Sequence, residues 1–236
     1  VAQTSDWIEE HYKIDLIQYE EKQRKVFQLK LDVIFEDDHL AVINKLAGYP
    51  TSGNYFKTIE HALPYNLSTS PLKDALTYPI PVHRLDNPTS GLLIIAKTKT
   101  AQLKLHQDFE DKKIEKIYLA LVIGETSLTQ NIETNIEEKE AYTSFKRIDL
   151  FTKYSSHFSL LEVSPKTGRT HQIRKHLASI EHPIVGDNLY GKENTSLSTK
   201  GLFLTAIGLS FKHPNSNQLL QFKITPPSKF RKVRAN

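Results

Sequence analysis

The chain has 236 residues, of which 39% are hydrophobic and 25% charged, and this composition is typical of a soluble globular protein with one or two domains. It contains no cysteine, which excludes disulfides, thiolate nucleophiles and thiolate metal sites. The net charge of +4 and the isoelectric point near 9.0 suit a polyanionic partner. No apolar run reaches the roughly 18–20 residues of a membrane span and the N-terminus shows no signal peptide, so we expect a cytoplasmic protein without membrane contact.

The first third of the chain predicts two short strands followed by a long loop. Residues 33–36 and 40–44 are β-prone runs separated by a turn-forming pair of aspartates. Residues 53–86 are rich in Pro, Ser, Thr and Tyr, which is typical of a surface loop, with one short helix predicted over 58–63. Long loops of this kind often carry functional residues.

The middle of the chain predicts a strand, a helix and a second strand. Residues 91–97 form a continuous apolar run, which is typical of a strand buried on both faces. Thr98 or Thr100 is the predicted N-cap of the helix that follows. The apolar stripe of this helix consists of Ala101, Leu105 and Phe109. Residues 116–124 are again strand-like.

The C-terminal half predicts four more strands and one helix. The helix spans 170–180 and has an apolar face formed by Ile173, Leu177 and Ile180. The cationic tail over 229–234 is expected to be frayed or solvated. The β-prone runs are residues 141–150, 157–163, 202–211 and 219–224.

Strands that follow one another in runs, with only a few helices between them, indicate an α+β fold. We expect a mixed, largely antiparallel sheet flanked by a few helices. Residues 1–30 are interpreted as a polar N-terminal extension and residues 31–236 as one catalytic domain, since the sequence shows no internal repeat and no clear linker.

The segment PVHRLDNPTSGLLIIAKT, residues 81–98, is the most informative part of the chain. It places His83, Arg84 and Asp86 in an irregular stretch that ends at Gly91, immediately before the predicted buried strand. A carboxylate held at the end of a core strand is well placed for catalysis. On pattern alone, however, Asp86 before Asn87-Pro88 is better interpreted as a turn-forming residue.

This segment resembles the catalytic motif of the RluA-like RNA pseudouridine synthases, in which HRLD is followed by two variable residues, TSG and an apolar strand. The resemblance covers roughly residues 33–230 and implies the catalytic fold of that family. Four further blocks occur in the family's order: DDHLAVINKLAGYPTSGN (37–54), KIYLALVIG (116–124), SPKTGRTHQIRKHLASIEHPIVGDNLYG (164–191) and LTAIGLSFKHP (204–214).

The resemblance implies an isomerase that detaches uracil from ribose, rotates it and rejoins it through carbon 5. Asp86 would be the covalent catalyst, attacking either the anomeric carbon or the uracil ring. Arg174 would be the buried ion-pair partner that keeps Asp86 ionised. Tyr118 would stack on the base, although its alternation with neighbouring strand residues also fits an ordinary core tyrosine.

The same resemblance assigns further residues to substrate binding: His83, Arg84, Lys116, Arg169, Ile173 and Leu177. Arg84 would stand beside a uridine flipped out of structured ribosomal or transfer RNA, or else form a surface salt bridge. The acid-free stretch 165–176 would attract RNA phosphates. No metal and no cofactor is required, and we expect a monomer.

Three alternatives remain open at this point. A metal site at His171, His176 and His182 has no supporting spacing and no paired carboxylate. A catalytically inactive RNA-binding module on the same fold is disfavoured because Asp86, Tyr118 and Arg174 are all present. An unrelated aspartate-dependent hydrolase is disfavoured because the whole family pattern would then be a coincidence. The chain also departs from the family at Asn87-Pro88, Leu46 and Lys175, which bears on substrate specificity.

Overall fold

The computed structural model describes residues 25–191 and 200–233. Within these ranges the helices are α1 (Ile59–Asn66), α2 (Lys99–Glu110), α3 (Gln172–Ser179) and α4 (Ser228–Lys232). The strands are β1 (Asp32–Glu36), β2 (Leu40–Lys45), β3 (Ala75–Pro81), β4 (Ser90–Thr98), β5 (Glu115–Ile123), β6 (Thr129–Ile132), β7 (Thr143–Lys153), β8 (Ser156–Pro165), β9 (Leu204–Lys212) and β10 (Leu219–Lys223). Among these helices none is long and apolar enough to cross a bilayer.

The described strands form one mixed sheet in the order β1-β2-β4-β9-β5-β8-β7-β6, with β3 paired to β4 and β10 paired to β9. The pairing of β4 with β9 is parallel, and the other strand pairings are antiparallel. The α+β prediction with a mixed, largely antiparallel sheet is therefore confirmed.

The parallel junction between β4 and β9 is short and lies at the centre of the sheet. Only Ser90 and Gly91 pair there, with Thr205 and Ala206. Gly91 has φ of 118°, and a Cβ on it would lie 2.2 Å from the carbonyl oxygen of Ala206. Only glycine fits this approach. The segment that carries Asp86 thus enters the sheet at a point fixed by backbone packing.

The core lies on both faces of the sheet, as the continuous apolar run of β4 predicts. Leu93 and Ile95 point to the face covered by α1 and α3, and Leu92 and Ile94 to the face covered by α2. The Oγ1 of Thr98 accepts from Ala101 N at 3.2 Å, so Thr98, rather than Thr100, is the N-cap of α2.

The structure departs from the sequence predictions at several places. The predicted loop over 53–86 contains β3 as well as the helix, and the polar edge strand β6 was not predicted. The cationic tail forms α4, in which Phe230 is buried against the core, so the expected frayed end is wrong over that part. Most of the proposed extension, residues 1–24, lies outside the described residues, whereas Phe27 and Leu29 pack against the core.

Candidate active site

A pocket of about 440 Å³ opens beside the β4–β9 junction. Its walls come from the segment before β4, the C-terminal end of α2, β5, and the turn between β8 and α3. Nearly all of the site residues predicted from the sequence line it: His83, Arg84, Asp86, Lys116, Tyr118, Arg169, Ile173 and Arg174. Leu177 is absent from the lining. It is fully buried in the core one helical turn behind Ile173, where it supports the pocket wall.

Lys45, at the end of β2, holds the backbone of the loop over 82–89 that carries Asp86, here called the Asp86 loop. Its side chain is fully buried, and its Nζ lies within hydrogen-bond distance of four carbonyl oxygens. The strongest contact is to Thr89 at 2.8 Å, followed by Leu46 at 3.0 Å and by Asp86 and Asn87 at 3.3 Å each. A buried ammonium with this many acceptors fixes the loop because breaking any contact leaves charge without solvation.

A second brace joins the loop to Thr51, in the segment between β2 and α1. The Oγ1 of Thr51 donates to the carbonyl of Leu85 at 2.9 Å and accepts from its amide at 3.1 Å. Thr89 N donates to the carbonyl of Asp86 at 3.0 Å and closes the turn. The Asp86 backbone is therefore held on both sides, and only its side chain is free to adjust.

Arg174 lies between two carboxylates, of which Asp86 is the weaker partner. Its Nη1 is 3.3 Å from Asp86 Oδ2, whereas its Nε and Nη2 donate to Asp187 at 2.7 and 2.8 Å. The pairing of Arg174 with Asp86 is present as predicted. The bidentate partner is Asp187, which the sequence reasoning missed.

Asp187 is held in turn by its own loop. Its Oδ1 accepts from the amides of Leu189 and Tyr190 at 3.0 and 3.1 Å. Burial disfavours the charge of Asp187, but the hydrogen bonds from Arg174 and these amides outweigh it and lower the pKa of the carboxyl. The preceding residue, Gly186, has φ of 76°, and a Cβ on it would lie 2.1 Å from a backbone oxygen of Gly201.

Tyr118 stands on β5 at the pocket wall, opposite Val163 of β8 and Ala206 of β9. It is almost fully buried. Burial, and then the negative charge of Asp86, raise the pKa of its phenol above the ordinary value. Tyr118 is therefore a neutral, largely apolar surface near neutral pH, suited to contact with a flat ring.

Lys116, two residues earlier on the same strand, is a partly buried cation in the pocket wall. Its Nζ lies 3.5 Å from the Thr167 carbonyl and 5.8 Å from the ring centroid of Phe109. Burial lowers the pKa of Lys116 to about 8. No carboxylate pairs with it among the residues that the structure describes, which leaves it available to an anionic ligand.

His83 packs at the back of this wall, with its ring centroid 4.8 Å from that of Phe109. Burial, and then the charge of Lys116, lower the pKa of His83 to about 3, so the ring is neutral. Its Nε2 accepts from Ile94 N at 3.1 Å. His83 therefore anchors the segment before β4 to the sheet as well as lining the pocket.

The two predicted arginines of the pocket rim are exposed. In the described part of the chain Arg84 has no ion-pair partner, so the alternative of a surface salt bridge has no support there. Arg169 donates through Nε to the Glu140 carbonyl at 3.0 Å. Both guanidinium groups retain donors for a ligand at the rim.

Comparison with known proteins decides the family. The sequence model of the family described as RNA pseudouridylate synthase matches residues 39–179. The chain belongs to this family. It is an isomerase that modifies RNA, and the predicted resemblance to RluA-like synthases is confirmed.

Three relatives illustrate the match to this synthase. An uncharacterized RNA pseudouridine synthase of Aquifex aeolicus is 35% identical, over 87% of this chain and 72% of that protein. Ribosomal large subunit pseudouridine synthase D of Nitrosomonas europaea is 35% identical over 84% and 63%. Ribosomal large subunit pseudouridine synthase C of Vibrio parahaemolyticus is 32% identical over 90% and 71%. The chain thus spans 63 to 72% of the lengths of these relatives.

Two solved structures share the fold of the synthase. Human RNA pseudouridylate synthase domain containing 1 superposes with a TM-score of 0.68 at 23% identity, over 84% of each chain. Human RNA pseudouridylate synthase domain containing 4 gives 0.67 at 20% identity, over 86% of this chain and 93% of that one. These likenesses support the fold assignment.

The three histidines considered as metal ligands have separate partners in the synthase. His176 is buried between Thr143 and the Thr134 carbonyl, each at 2.9 Å, and His182 contacts the Ile123 carbonyl at 3.0 Å. His171 faces the pocket. Within the described ranges these and other ligand-type side chains form no metal-binding group.

The buried charge of Lys45 gives the synthase a testable pH dependence. Burial lowers the pKa of Lys45 from 10.5 to about 8. Between these values the unfolded chain binds a proton that the folded chain does not, so this contribution to stability rises with pH. In urea titrations, we expect the unfolding free energy of wild type minus that of Lys45→Met to increase by about 2–3 kcal/mol from about pH 7.5 to about pH 10.5.

A control for this measurement is Lys146→Met, because Lys146 occupies an exposed position of β7. The unfolding free energy of wild type minus that of Lys146→Met should change little across the same pH range. A difference for Lys45→Met that is equally constant would show that Lys45 is not desolvated by the Asp86 loop.

Proposed function

We propose that the protein isomerises specific uridines to pseudouridine in structured ribosomal RNA, with Asp86 as the covalent catalyst. The observation that carries the proposal is the meeting of Asp86, Tyr118 and Arg174 in one pocket, from three separate parts of the chain. Membership of the family supplies the reaction, and this geometry supplies the residues that would perform it.

Asp86 is suited to nucleophilic attack by its surroundings. Arg174 Nη1 contacts Oδ2 at 3.3 Å and orients the carboxylate, while Oδ1 accepts no hydrogen bond within the described residues and is open to attack. A covalent bond to the anomeric carbon or to the uracil ring would divide the exchange into two easier steps. Either target is compatible with one free carboxylate oxygen.

Uracil would be bound between apolar surfaces while it is detached from the sugar. Tyr118 offers an aromatic face, and Ile173 and Leu204 add aliphatic surface to the lining. Base stacking on an aromatic side chain contributes about 1–3 kcal/mol per base. Such contacts constrain a flat ring without preventing rotation in its own plane, which the reaction requires.

A pocket of this depth accepts a nucleotide only after the nucleotide leaves the RNA stack, which costs a few kcal/mol. Cations around the rim would offset that cost by binding phosphates. The lining includes five cations that are available for this purpose: Arg84, Lys112, Lys116, Lys166 and Arg169. A flipped uridine and a phosphate-binding rim are therefore parts of one proposal.

The salt dependence of RNA binding tests this rim. We expect Lys116→Ala and Arg169→Ala each to reduce the slope of log affinity against log salt by about 0.7–0.9, because each removes one phosphate contact. Lys175→Ala is the control, since Lys175 pairs with Glu137 at 2.7 Å outside the pocket lining and should change the slope less. Equal slopes for all three variants in filter-binding titrations would contradict a phosphate-binding rim.

Ribosomal RNA is the proposed substrate because two of the relatives are named as ribosomal large subunit synthases. The test is to map pseudouridines in ribosomal and transfer RNA from cells with and without the gene. We expect one or more ribosomal sites to be lost in the deletion and restored by the wild-type gene. Loss confined to transfer RNA would reassign the substrate, and an unchanged map would contradict the proposal. A cytoplasmic location and a monomeric state stay predictions.

A further inference from the structure

His171 adopts a backbone conformation that is unfavourable for a residue with a Cβ. It precedes α3 with φ of 56° and ψ of 25°, in the left-handed region, and its side chain makes no capping hydrogen bond to the helix. Glycine and asparagine occupy this region with less strain. Strained residues of this kind persist where the surrounding structure determines them, often at functional sites.

The imidazole of His171 lies between a tyrosine and the catalytic aspartate. Its Nδ1 is 3.0 Å from Tyr190 Oη, and its Nε2 is 3.9 Å from Asp86 Oδ1. The side chain is 24% exposed and lines the pocket. Asp86 is thus faced on Oδ2 by Arg174 and on Oδ1 by His171, so a different group stands at each of its two oxygens.

The Tyr190 contact decides which ring nitrogen carries the proton. If the neutral imidazole carried its hydrogen on Nδ1 and donated it to the Tyr190 hydroxyl, the lone pair of Nε2 would face the carboxylate of Asp86, which is repulsive. If the hydroxyl donates to Nδ1, Nε2 carries the hydrogen and points it at Asp86 Oδ1, which is attractive. The second arrangement is therefore the stable one.

The loop over 186–190 positions both groups that face Asp86. Asp187 binds Arg174 through two hydrogen bonds, and it also accepts from the amide of Tyr190. The guanidinium of Arg174 lies 5.2 Å from the Tyr190 ring centroid. One loop thus sets the placement of the arginine and, through the tyrosine, of the imidazole.

We propose that His171, oriented by Tyr190, is a positioning residue for Asp86. Its Nε2–H closes by about 1 Å onto Oδ1 when a nucleotide fills the pocket and excludes water. The hydrogen bond takes one lone pair of Oδ1, leaves the other for attack, and sets the carboxylate in its attacking orientation. This inference rests on the proposed function, in which Asp86 is the covalent catalyst. The strained backbone then has a function, because in this conformation the ring lies beside Asp86.

The experiment compares variants at His171 for stability and for kinetics on an RNA that the wild type modifies. His171→Asn and His171→Gly tolerate the left-handed backbone but do not reach Asp86. We expect thermal midpoints equal to or above wild type, kcat lower by about tenfold to a hundredfold, and KM within about threefold. His171→Gln, whose longer side chain can place an N–H near Oδ1, should regain most of kcat although it keeps the backbone strain.

Two further variants make the test specific. Tyr190→Phe should lower kcat less than His171→Asn, and the double variant should be no slower than His171→Asn, because both changes remove one interaction. Glu181→Asn is the matched control, since Glu181 has φ of 64° just beyond the other end of α3 and does not line the pocket. It should relieve strain without changing kcat.

The outcomes separate the inference from the proposed function. An active wild type with unchanged kcat in His171→Asn, or a loss of stability that parallels the loss of rate, would overturn the positioning role and leave the proposed function standing. The same holds if His171→Gln is no faster than His171→Asn. A wild type that forms no pseudouridine on any ribosomal or transfer RNA would overturn both.

Discussion

Asp86→Asn should retain the fold and the affinity for RNA while isomerisation falls by roughly a factor of 10⁴ or more, the scale seen when a catalytic nucleophile is removed. The amide is nearly isosteric with the carboxylate but is a very poor nucleophile. The backbone of residue 86 is held by Lys45 and by the Thr89 amide, neither of which uses the side chain. The loop should therefore keep its shape, and rate should fall without a matching loss of stability.

The measurement is single-turnover formation of pseudouridine, with unfolding curves recorded on the same protein. Asp32→Asn serves as the control because Asp32 is an exposed aspartate of β1 that does not line the pocket. It should match wild type in both readouts. Substantial turnover by Asp86→Asn would remove Asp86 from the covalent role, whatever its position in the pocket.

Arg174→Met should destabilise the protein by about 3–5 kcal/mol, because removing one member of a buried ion pair strands the other charge. The stranded charge is mainly Asp187, whose side chain is 0% exposed and which takes two of the guanidinium hydrogen bonds. Asp86 is 18% exposed, and its contact with Arg174 is longer, at 3.3 Å. Urea titration should show the loss, and activity should fall with it.

Second-site changes distinguish the two carboxylates. Adding Asp187→Asn to Arg174→Met should restore part of the lost stability, whereas adding Asp86→Asn should restore less, since Asp86 keeps some solvent. Neither double variant should regain activity. If Asp86→Asn restores more stability than Asp187→Asn, Asp86 is the principal partner of Arg174. If Arg174→Met unfolds at the same urea concentration as wild type, neither ion pair of Arg174 contributes much to stability.

Much of the fold followed from apolar patterning. The run over β4 predicted a strand buried on both faces, and the alternation of its side chains between two core clusters bears this out. β3 was missed because Pro79 and Pro81 and its polar neighbours read as a loop, and its pairing with β4 is irregular. β6 is short and polar, and among the described strands it pairs only with β7, so hydrophobicity gave no signal for it.

The site divided in a similar way between motif and tertiary structure. The motif residues Asp86, Tyr118 and Arg174 were assigned by resemblance and do lie together in the pocket. Lys45 and Asp187 were missed because their importance comes from partners distant in sequence. Signals existed: Lys45 is a charge within a buried strand, and Asp187 follows a glycine in GDNLY.

The position of His171 beside Asp86 could not be predicted from the sequence for a different reason. In the sequence His171 is one of three histidines, and their residue type suggests metal binding and no other role. Its left-handed backbone and its approach to Asp86 depend on how the turn after β8 meets α3, which no local pattern specifies. Backbone strain becomes visible only once the turn is built.

Isomerisation of uridine in RNA through Asp86 must release the hydrogen at carbon 5 of the base, and this release can be measured. Purified wild type and Asp86→Asn would each be incubated with unmodified ribosomal RNA transcripts that carry tritium at carbon 5 of uridine. Because rejoining through carbon 5 displaces that hydrogen, wild type should release tritium to water in step with pseudouridine formation, and Asp86→Asn should release none above background. Release by both proteins would show that Asp86 is not required for the reaction, and release by neither would show that the chain does not isomerise uridine in these transcripts.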